Sequence, residues 1–208
     1  MSDVPALSPA VQALAATDPV MARLIEVVGP CGLVPDRSRS PYQHLTRAIA
    51  YQQLNGTAAA TIFGRFVALF GSDGRFPTPE QVLATPLARL RGCGLSGSKI
   101  AAVQDLARHA VAGVVPDTAG LDALDDEAII ARLTAVRGVG RWTVEMMLMF
   151  QLGRADVLPV DDYGVRNGFR LAYGLRKLPA PRALAAFGAR WAPQRSAAAW
   201  YLWRAVDL

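Results

Sequence analysis

Two adjacent carboxylates are the most chemically capable side chains in this sequence. Asp161 and Asp162 lie in LPVDDYGVRNGFRL (residues 158–171), just after Pro159 and at the expected start of a helix. There the helix dipole and the unpaired first-turn amides favour the ionised carboxylate. A fixed anion of this kind can stabilise positive charge developing on a bound molecule, and it can orient a water for attack. It can also serve as a plain helix cap. Two in a row allow both tasks, one capping and the other facing a cleft.

The second segment with chemistry in it is LTAVRGVGRWTVEMM (133–147). A helix ends, Gly138-Val139-Gly140 turns tightly, and a new helix begins at once. Two glycines around one apolar residue let the backbone bend sharply and approach a ligand closely. The amides that open the new helix point outward and carry partial positive charge, so the turn can cradle a phosphate. Val139 is expected to plug the hairpin into its own core.

With Leu133, Val136, Arg141 and Thr143 added, the pattern becomes L-x-x-V-x-G-V-G-x-x-T. It resembles the helix-hairpin-helix of DNA repair glycosylases. The resemblance implies DNA contacts at Gly138, Val139, Gly140, Arg141 and Thr143. It also implies a structural Na+ or K+ on the backbone oxygens of Thr134, Val136 and Val139, with no other cofactor required. In that superfamily an aspartate about this far downstream is catalytic and opens a helix. The P-x-D-D-Y form looks like the alkylbase branch, the 3-methyladenine DNA glycosylase II (AlkA-like) enzymes. There the second aspartate is the catalytic one, which points to Asp162; alignment to the broader superfamily pattern would favour Asp161.

The implied reaction is hydrolysis of an N-glycosidic bond. As the base leaves, the sugar becomes oxocarbenium-like, and a carboxylate beneath it stabilises that charge. Bifunctional members of the superfamily carry a nucleophilic lysine two residues after the second hairpin glycine. Here that position is Trp142, so a monofunctional enzyme without lyase activity is implied. Trp142 would wall the base pocket, where an indole facing a cationic base gains ~0.5–2 kcal/mol. The run RWAPQRSAAAWYLWRAVDL (190–208) matches the branch's R-W-x-P-x-R-S-(x6)-W spacing through Trp191, Pro193, Arg195, Ser196 and Trp203. It implies Trp203 as a second aromatic wall, with Tyr163 a third and Trp200 and Tyr201 as packing. Met146 replaces the family's tyrosine in the hairpin helix, which implies a wider pocket.

A flipped base leaves a gap that an inserted side chain fills. AIAYQQLNGTAA (48–59) resembles the family's wedge segment, with Gln53 as the intercalating residue and Leu54 the alternative. Gln52 would contact the opposite base or hold the loop. GCGLSGSKIAAVQDLA (92–107) is also family-like, with Ser96 placed at the opposite strand and Lys99 at a phosphate.

The elements that must position these residues read as helices throughout. Ser8-Pro9, Asp18-Pro19, Ser40-Pro41 and Thr78-Pro79 each place a cap before a first-turn proline. Helices are predicted near 9–16, 19–28, 41–53, 56–70, 79–84, 97–112, 126–135, 141–152, 162–174, 181–190 and 194–205. Residues 30–40 form the clearest linker, and 158–162 a second connection. The expected fold is all-α: two helical lobes, a helix-hairpin-helix motif and a DNA-binding cleft between the lobes. One lobe spans 41–156, and the other joins 1–40 to 157–208. His44 and His109 are expected to be structural or at the surface.

Composition is consistent with this. The chain has 208 residues, 52% apolar, with a formal net charge of +5. That suits one compact globular unit, and the basic balance favours phosphate partners. No signal peptide or membrane span is read. Cys31 and Cys93 make neither a disulfide framework nor a metal quartet, so a reducing cytoplasm is expected. The resemblance covers roughly residues 18–205. It leaves no room for the N-terminal β-domain of larger alkylbase enzymes, and the four-cysteine iron–sulfur loop of a sister branch is missing. The expected partner is duplex DNA carrying alkylated purines, bound by a monomer. The alternatives are a glycosylase for hypoxanthine or etheno adducts and a non-catalytic DNA-binding module.

Overall fold

The computed structural model describes residues 7–71 and 74–208. Among them every regular element is helical: α1 (Pro9–Thr17), α2 (Pro19–Val28), α3 (Pro41–Tyr51), α4 (Gly56–Ala68), α5 (Pro79–Ala84), α6 (Leu87–Gly92), α7 (Gly97–Val111), α8 (Thr118–Asp122), α9 (Asp126–Leu133), α10 (Arg141–Met147), α11 (Tyr163–Ala172), α12 (Pro181–Gly188) and α13 (Arg195–Arg204). A π-helical turn at Leu148–Leu152 follows α10, and a 3-10 turn at Ala189–Trp191 follows α12. None of these helices is long and apolar enough to cross a membrane.

The four proline-marked starts are all built as expected. The side chains of Ser8, Asp18, Ser40 and Thr78 accept hydrogen bonds from first-turn amides of α1, α2, α3 and α5. At Ser40 and Thr78 a glutamine three residues on bonds back to the cap, completing a capping box. Two short helices, α6 and α8, fall outside the predicted set. Six and five residues present too little periodicity to be read in sequence, and α6 has no side-chain cap. The helix predicted over 141–152 is one run in sequence but changes to π geometry at Leu148.

The chain divides into two compact units, Asp36–Met147 and the chain up to Pro35 together with Leu148–Leu208. The first division falls inside the predicted linker. The second comes earlier than the predicted 156/157, because residues 148–156 are packed into the second unit. A Cβ on Gly153 would come within 2.7 Å of Pro35, and Asp156 is held by α13.

In the unit Asp36–Met147, the core is Leu45, Ile49, Phe66, Val82, Leu90, Leu106, Ile129 and Leu133, all essentially buried. Phe63, Phe66, Phe70 and Phe76 pack ring against ring beside it. His44 on α3 is half-buried here. Its pKa is pushed down to about 4, first by burial and then by Arg39 and Arg47, against a smaller pull from Asp36. The folded protein therefore holds it neutral, while the unfolded chain protonates it near 6.5. Its contribution is fully present above pH 6.5 and is lost as pH falls toward 4. We expect thermal melts of His44→Gln to lose less stability than the wild type between these limits. Parallel losses in the two proteins would refute this assignment.

The other unit is organised around a buried carboxylate. Asp18 caps α2 through the amides of Val20 and Met21, and its Oδ2 accepts the Tyr173 hydroxyl at 2.6 Å and the Trp191 indole at 3.0 Å. Burial pushes its pKa up, but these hydrogen bonds outweigh that and leave the carboxyl below its usual value. Phe169, Tyr173, Phe187 and Trp191 close around it. Tyr201 is buried, its hydroxyl donating to the Gly29 carbonyl, and Trp200 packs edge-on against it, as expected of packing residues.

Candidate functional site

The acidic pair resolves into two different environments. Asp162 is the cap of α11, and Asp161 is an exposed turn residue before it. Oδ1 of Asp162 accepts the Val165 amide at 2.8 Å and the Trp203 indole N–H at 2.9 Å. The same carboxylate thus caps one helix and is gripped by another. Gly164 makes room for this: a Cβ there would lie 2.8 Å from Trp203 Cδ1 and 3.1 Å from Asp162 Oδ1. Phe150, in the π-helical turn, stacks on Trp203 with ring centroids 5.8 Å apart and planes 29° from parallel. Tyr163 opens α11 and is 68% exposed. Carboxylate, indole and exposed rings therefore stand together within one unit. Phe150 was missed in the sequence because a helix through 141–152 gave no reason to single it out. Within the apolar run 146–150 no local signal marks it.

The loop that delivers Asp162 is fastened by the start of α13. Arg195 grips Asp156 with Nε at 2.7 Å and Nη2 at 2.8 Å, a fork-on-carboxylate geometry. The Arg195 side chain holds the Asp156 carboxyl below its usual value. Ser196 Oγ donates to the Arg154 carbonyl at 2.7 Å and accepts the Val157 amide at 2.9 Å. The turn then closes with the Asp162 amide on the Pro159 carbonyl. Arg195 and Ser196, singled out above only by their spacing, pin the segment that sets the height of the aspartate. Asp156 was not foreseen, since its partner lies 39 residues away.

The hairpin belongs to the unit Asp36–Met147. Its turn closes with the Val139 amide on the Val136 carbonyl at 3.1 Å, and α10 begins with the Val144 amide on the Gly140 carbonyl. Gly138 has φ +79°, and a Cβ there would sit 3.1 Å from Ala102 Cβ of α7. Val139 is buried, as expected of a plug. Thr143 is buried as well, so neither side chain is presented at the surface. Arg141, expected at DNA, has its guanidinium between two carboxylates. It grips Glu127 in a fork, with one arm to Oε2 at 3.0 Å and a shorter one to Oε1, and its Nε reaches Glu145 at 3.0 Å. Glu127 first, and then Glu145, raise the guanidinium pKa against the effect of burial. Trp142 is 48% exposed, and Met146 lies one turn further along α10.

The remaining expected DNA contacts gather near this hairpin. Gln52 donates through Nε2 to the Gly138 carbonyl at 2.8 Å. Gln53 and Leu54 are exposed, and Gln53 has φ +57°. Ser96 caps α7 and meets Ser98 Oγ at 3.0 Å. Lys99, expected at a phosphate, directs its ammonium to the Ala50 carbonyl at 2.8 Å. Gln52, Gln53, Ser96, Lys99, Arg137 and Gly138 line a polar cavity of about 310 Å³.

Residues 46–194 match the model of the HhH-GPD superfamily of base excision DNA repair proteins. The chain is 40% identical over 198 residues to DNA-3-methyladenine glycosylase 1 of Schizosaccharomyces pombe, covering 94% of this chain and 86% of that protein. Among solved structures, the 3-methyladenine DNA glycosylase Mag1 of S. pombe, in complex with abasic DNA, superposes with a TM-score of 0.84 at 39% identity, over 97% of this chain and 98% of that one. DNA-3-methyladenine glycosidase from Bacillus halodurans gives 0.85 at 35% identity, over 95% and 89%. A hairpin turn between α9 and α10, an aspartate capping the next α-helix and a family match that spans both make the chain a member of the HhH-GPD superfamily of base excision DNA repair proteins.

Proposed function

We propose that the protein is a monofunctional DNA glycosylase that hydrolyses the N-glycosidic bond of flipped-out alkylated purines, of the 3-methyladenine and 7-methylguanine type, in duplex DNA. The observation that carries this reading is the Asp162 carboxylate, held on Oδ1 by the Trp203 indole and the Val165 amide at the mouth of α11. Two donors on one oxygen fix such a group in direction. Placed beneath a deoxyribose, it stabilises the cation that forms at C1′ as the C1′–N bond breaks. Water then adds to C1′ and gives up its proton to solvent or to the carboxylate. The leaving base takes the bonding pair. An alkylated purine already carries positive charge, so it departs neutral and requires no strong general acid.

The aromatic side chains supply the matching recognition. Phe150 and Trp203, with Tyr163 beside them, offer electron-rich faces in one unit, and Trp142 with Met146 offer another in the other. Rings of this kind favour a cationic base over its neutral parent. Trp142 stands where a Schiff-base lysine would be required for strand cleavage. In the hairpin, the carbonyls of Thr134, Val136 and Val139 are neutral oxygens suited to Na+ or K+. Val136 already accepts one hydrogen bond and keeps a second lone pair for such an ion.

The test is incubation with methylated duplex DNA, followed by chromatography of what is released. Free 3-methyladenine and 7-methylguanine, with abasic sites left in an unbroken strand, are the expected products. Strand breaks by β-elimination, or no free base at all, would refute the proposal.

A further inference from the structure

Two loops of the unit Asp36–Met147 are tied together by one face of one helix. Lys99, Ala102 and Asp105 follow at three-residue intervals on α7 and so share a side of it. Lys99 Nζ donates to the carbonyl of Ala50, in the last turn of α3 and two residues before the exposed turn 52–54. Ala102 is what the hairpin glycine Gly138 rests against. Asp105 accepts the backbone amide of Arg137 at 2.8 Å, a bond that leads the causes holding its carboxyl below the usual value. The exposed turn and the hairpin are then joined directly by the Gln52 amide on the Gly138 carbonyl.

The turn itself is held in an unfavourable shape. Gln53 is the one non-glycine residue with positive φ among the described residues. An L-residue in the left-handed region persists only where its surroundings over-determine it. Here the surroundings are bonds on both sides. The Gln52 amide reaches back to the Ala48 carbonyl, the Leu54 amide to that of Tyr51, and Asn55 turns the chain into α4 by accepting the Ala58 amide. Lys99 and the Gln52 side chain fasten this turn to α7 and to the hairpin.

We propose that Lys99 and Gln52 are positioning residues: they hold the 52–54 turn as a preformed wedge at a fixed reach from the phosphate-cradling hairpin, and Lys99 is not itself a phosphate ligand. The proposal rests on the glycosylase reading for what the wedge does, but its geometry concerns DNA binding alone. A wedge that is already shaped enters the base stack without ordering cost at the moment of flipping. Its tie to Gly138 makes insertion and hairpin docking one event.

The salt dependence of binding separates the two roles of Lys99. Wild type, Lys99→Met, Lys99→Arg, Gln52→Ala and Gln52→Glu would be titrated onto a duplex with a stable abasic analogue flanked by 2-aminopurine, from about 50 to 200 mM salt. Thermal melts confirm that each variant is folded. For Lys99→Met and Gln52→Ala we expect the slope of log affinity against log salt to match the wild type, while the 2-aminopurine signal of wedge insertion falls. The maximal rate of base release should drop about tenfold, the loss expected for one side-chain hydrogen bond to a backbone carbonyl. Lys99→Arg should recover part of the signal, since it can still donate. Gln52→Glu should not, since a carboxylate cannot donate to Gly138. A slope reduced by about 0.9 in Lys99→Met, the mark of one lost phosphate contact, would overturn the proposal. So would an undiminished insertion signal in both Lys99→Met and Gln52→Ala. Absence of base release by the wild type would refute the glycosylase reading while leaving the slope and insertion measurements to decide this one.

Discussion

Asp162→Asn should lower the single-turnover rate of base release by about 10²–10³-fold or more, the scale on which removal of one fixed electrostatic partner acts. The substitution isolates charge from structure. Asparagine is as good a helix cap as aspartate. Its Oδ1 can still accept the Val165 amide and the Trp203 indole, which lie at 2.8 and 2.9 Å in the wild type. The variant should therefore melt within a degree or two of the wild type, by the scale of surface changes. Its affinity for a duplex carrying an abasic analogue should also be preserved, because the hairpin lies in the other unit. Asp161→Asn is the control, since that exposed side chain is not the cap of α11. Normal base release by Asp162→Asn, or its loss in Asp161→Asn instead, would transfer the catalytic role to Asp161 or require a different mechanism.

The second large effect is structural and lies beneath that carboxylate. Gly168→Ala should destabilise the protein strongly, although alanine is the better helix former by about 1 kcal/mol. Gly168 faces α13 at the point where α11 crosses it. A Cβ there would be 1.8 Å from the carbonyl oxygen of Leu202, 2.6 Å from its carbonyl carbon and 3.1 Å from its Cα. These are backbone atoms, so relief requires the helices to part. Overpacking of this kind costs about 1–3 kcal/mol and sometimes more, which exceeds the propensity gain. With contacts this short against backbone, a net loss of about 2 kcal/mol is expected, which lowers the melting temperature by about 4–8 °C for a chain of this length. Because Asp162 caps α11 and Trp203 belongs to α13, the folded fraction should also release bases more slowly. Gly64→Ala provides the contrast. Gly64 is an exposed residue inside α4, with nothing within 4 Å of a Cβ, so the same change should be neutral or stabilise by up to about 1 kcal/mol. Equal responses at the two positions would refute the close crossing of α11 and α13.

Much of this architecture is local and therefore legible in the sequence. A serine, threonine or aspartate before a proline specifies a helix start from neighbouring backbone alone, and α1, α2, α3 and α5 begin where the residues say. The hairpin is similarly self-contained. Glycine at 138 accepts the positive φ, Val139 buries itself, and Gly140 supplies the first carbonyl of α10. The acidic pair after Pro159 announces a helix cap, though not which of the two provides it.

What residue order could not express is partnership across distance. Asp162 is distinguished from Asp161 by an indole 41 residues away, and Asp156 by a guanidinium 39 residues away. Arg141 and Lys99 look like DNA-facing cations when read alone. Folding turns one toward Glu127 and Glu145 and the other toward the Ala50 carbonyl. Glycine at 168 reads as a weak point in a helix until α13 is laid against it. Capping, turn and plug are settled by atoms within a few residues, so sequence determines them. The direction of a charged side chain is settled by whichever oppositely polarised group the packed helices bring within about 3 Å, and only the tertiary structure decides that.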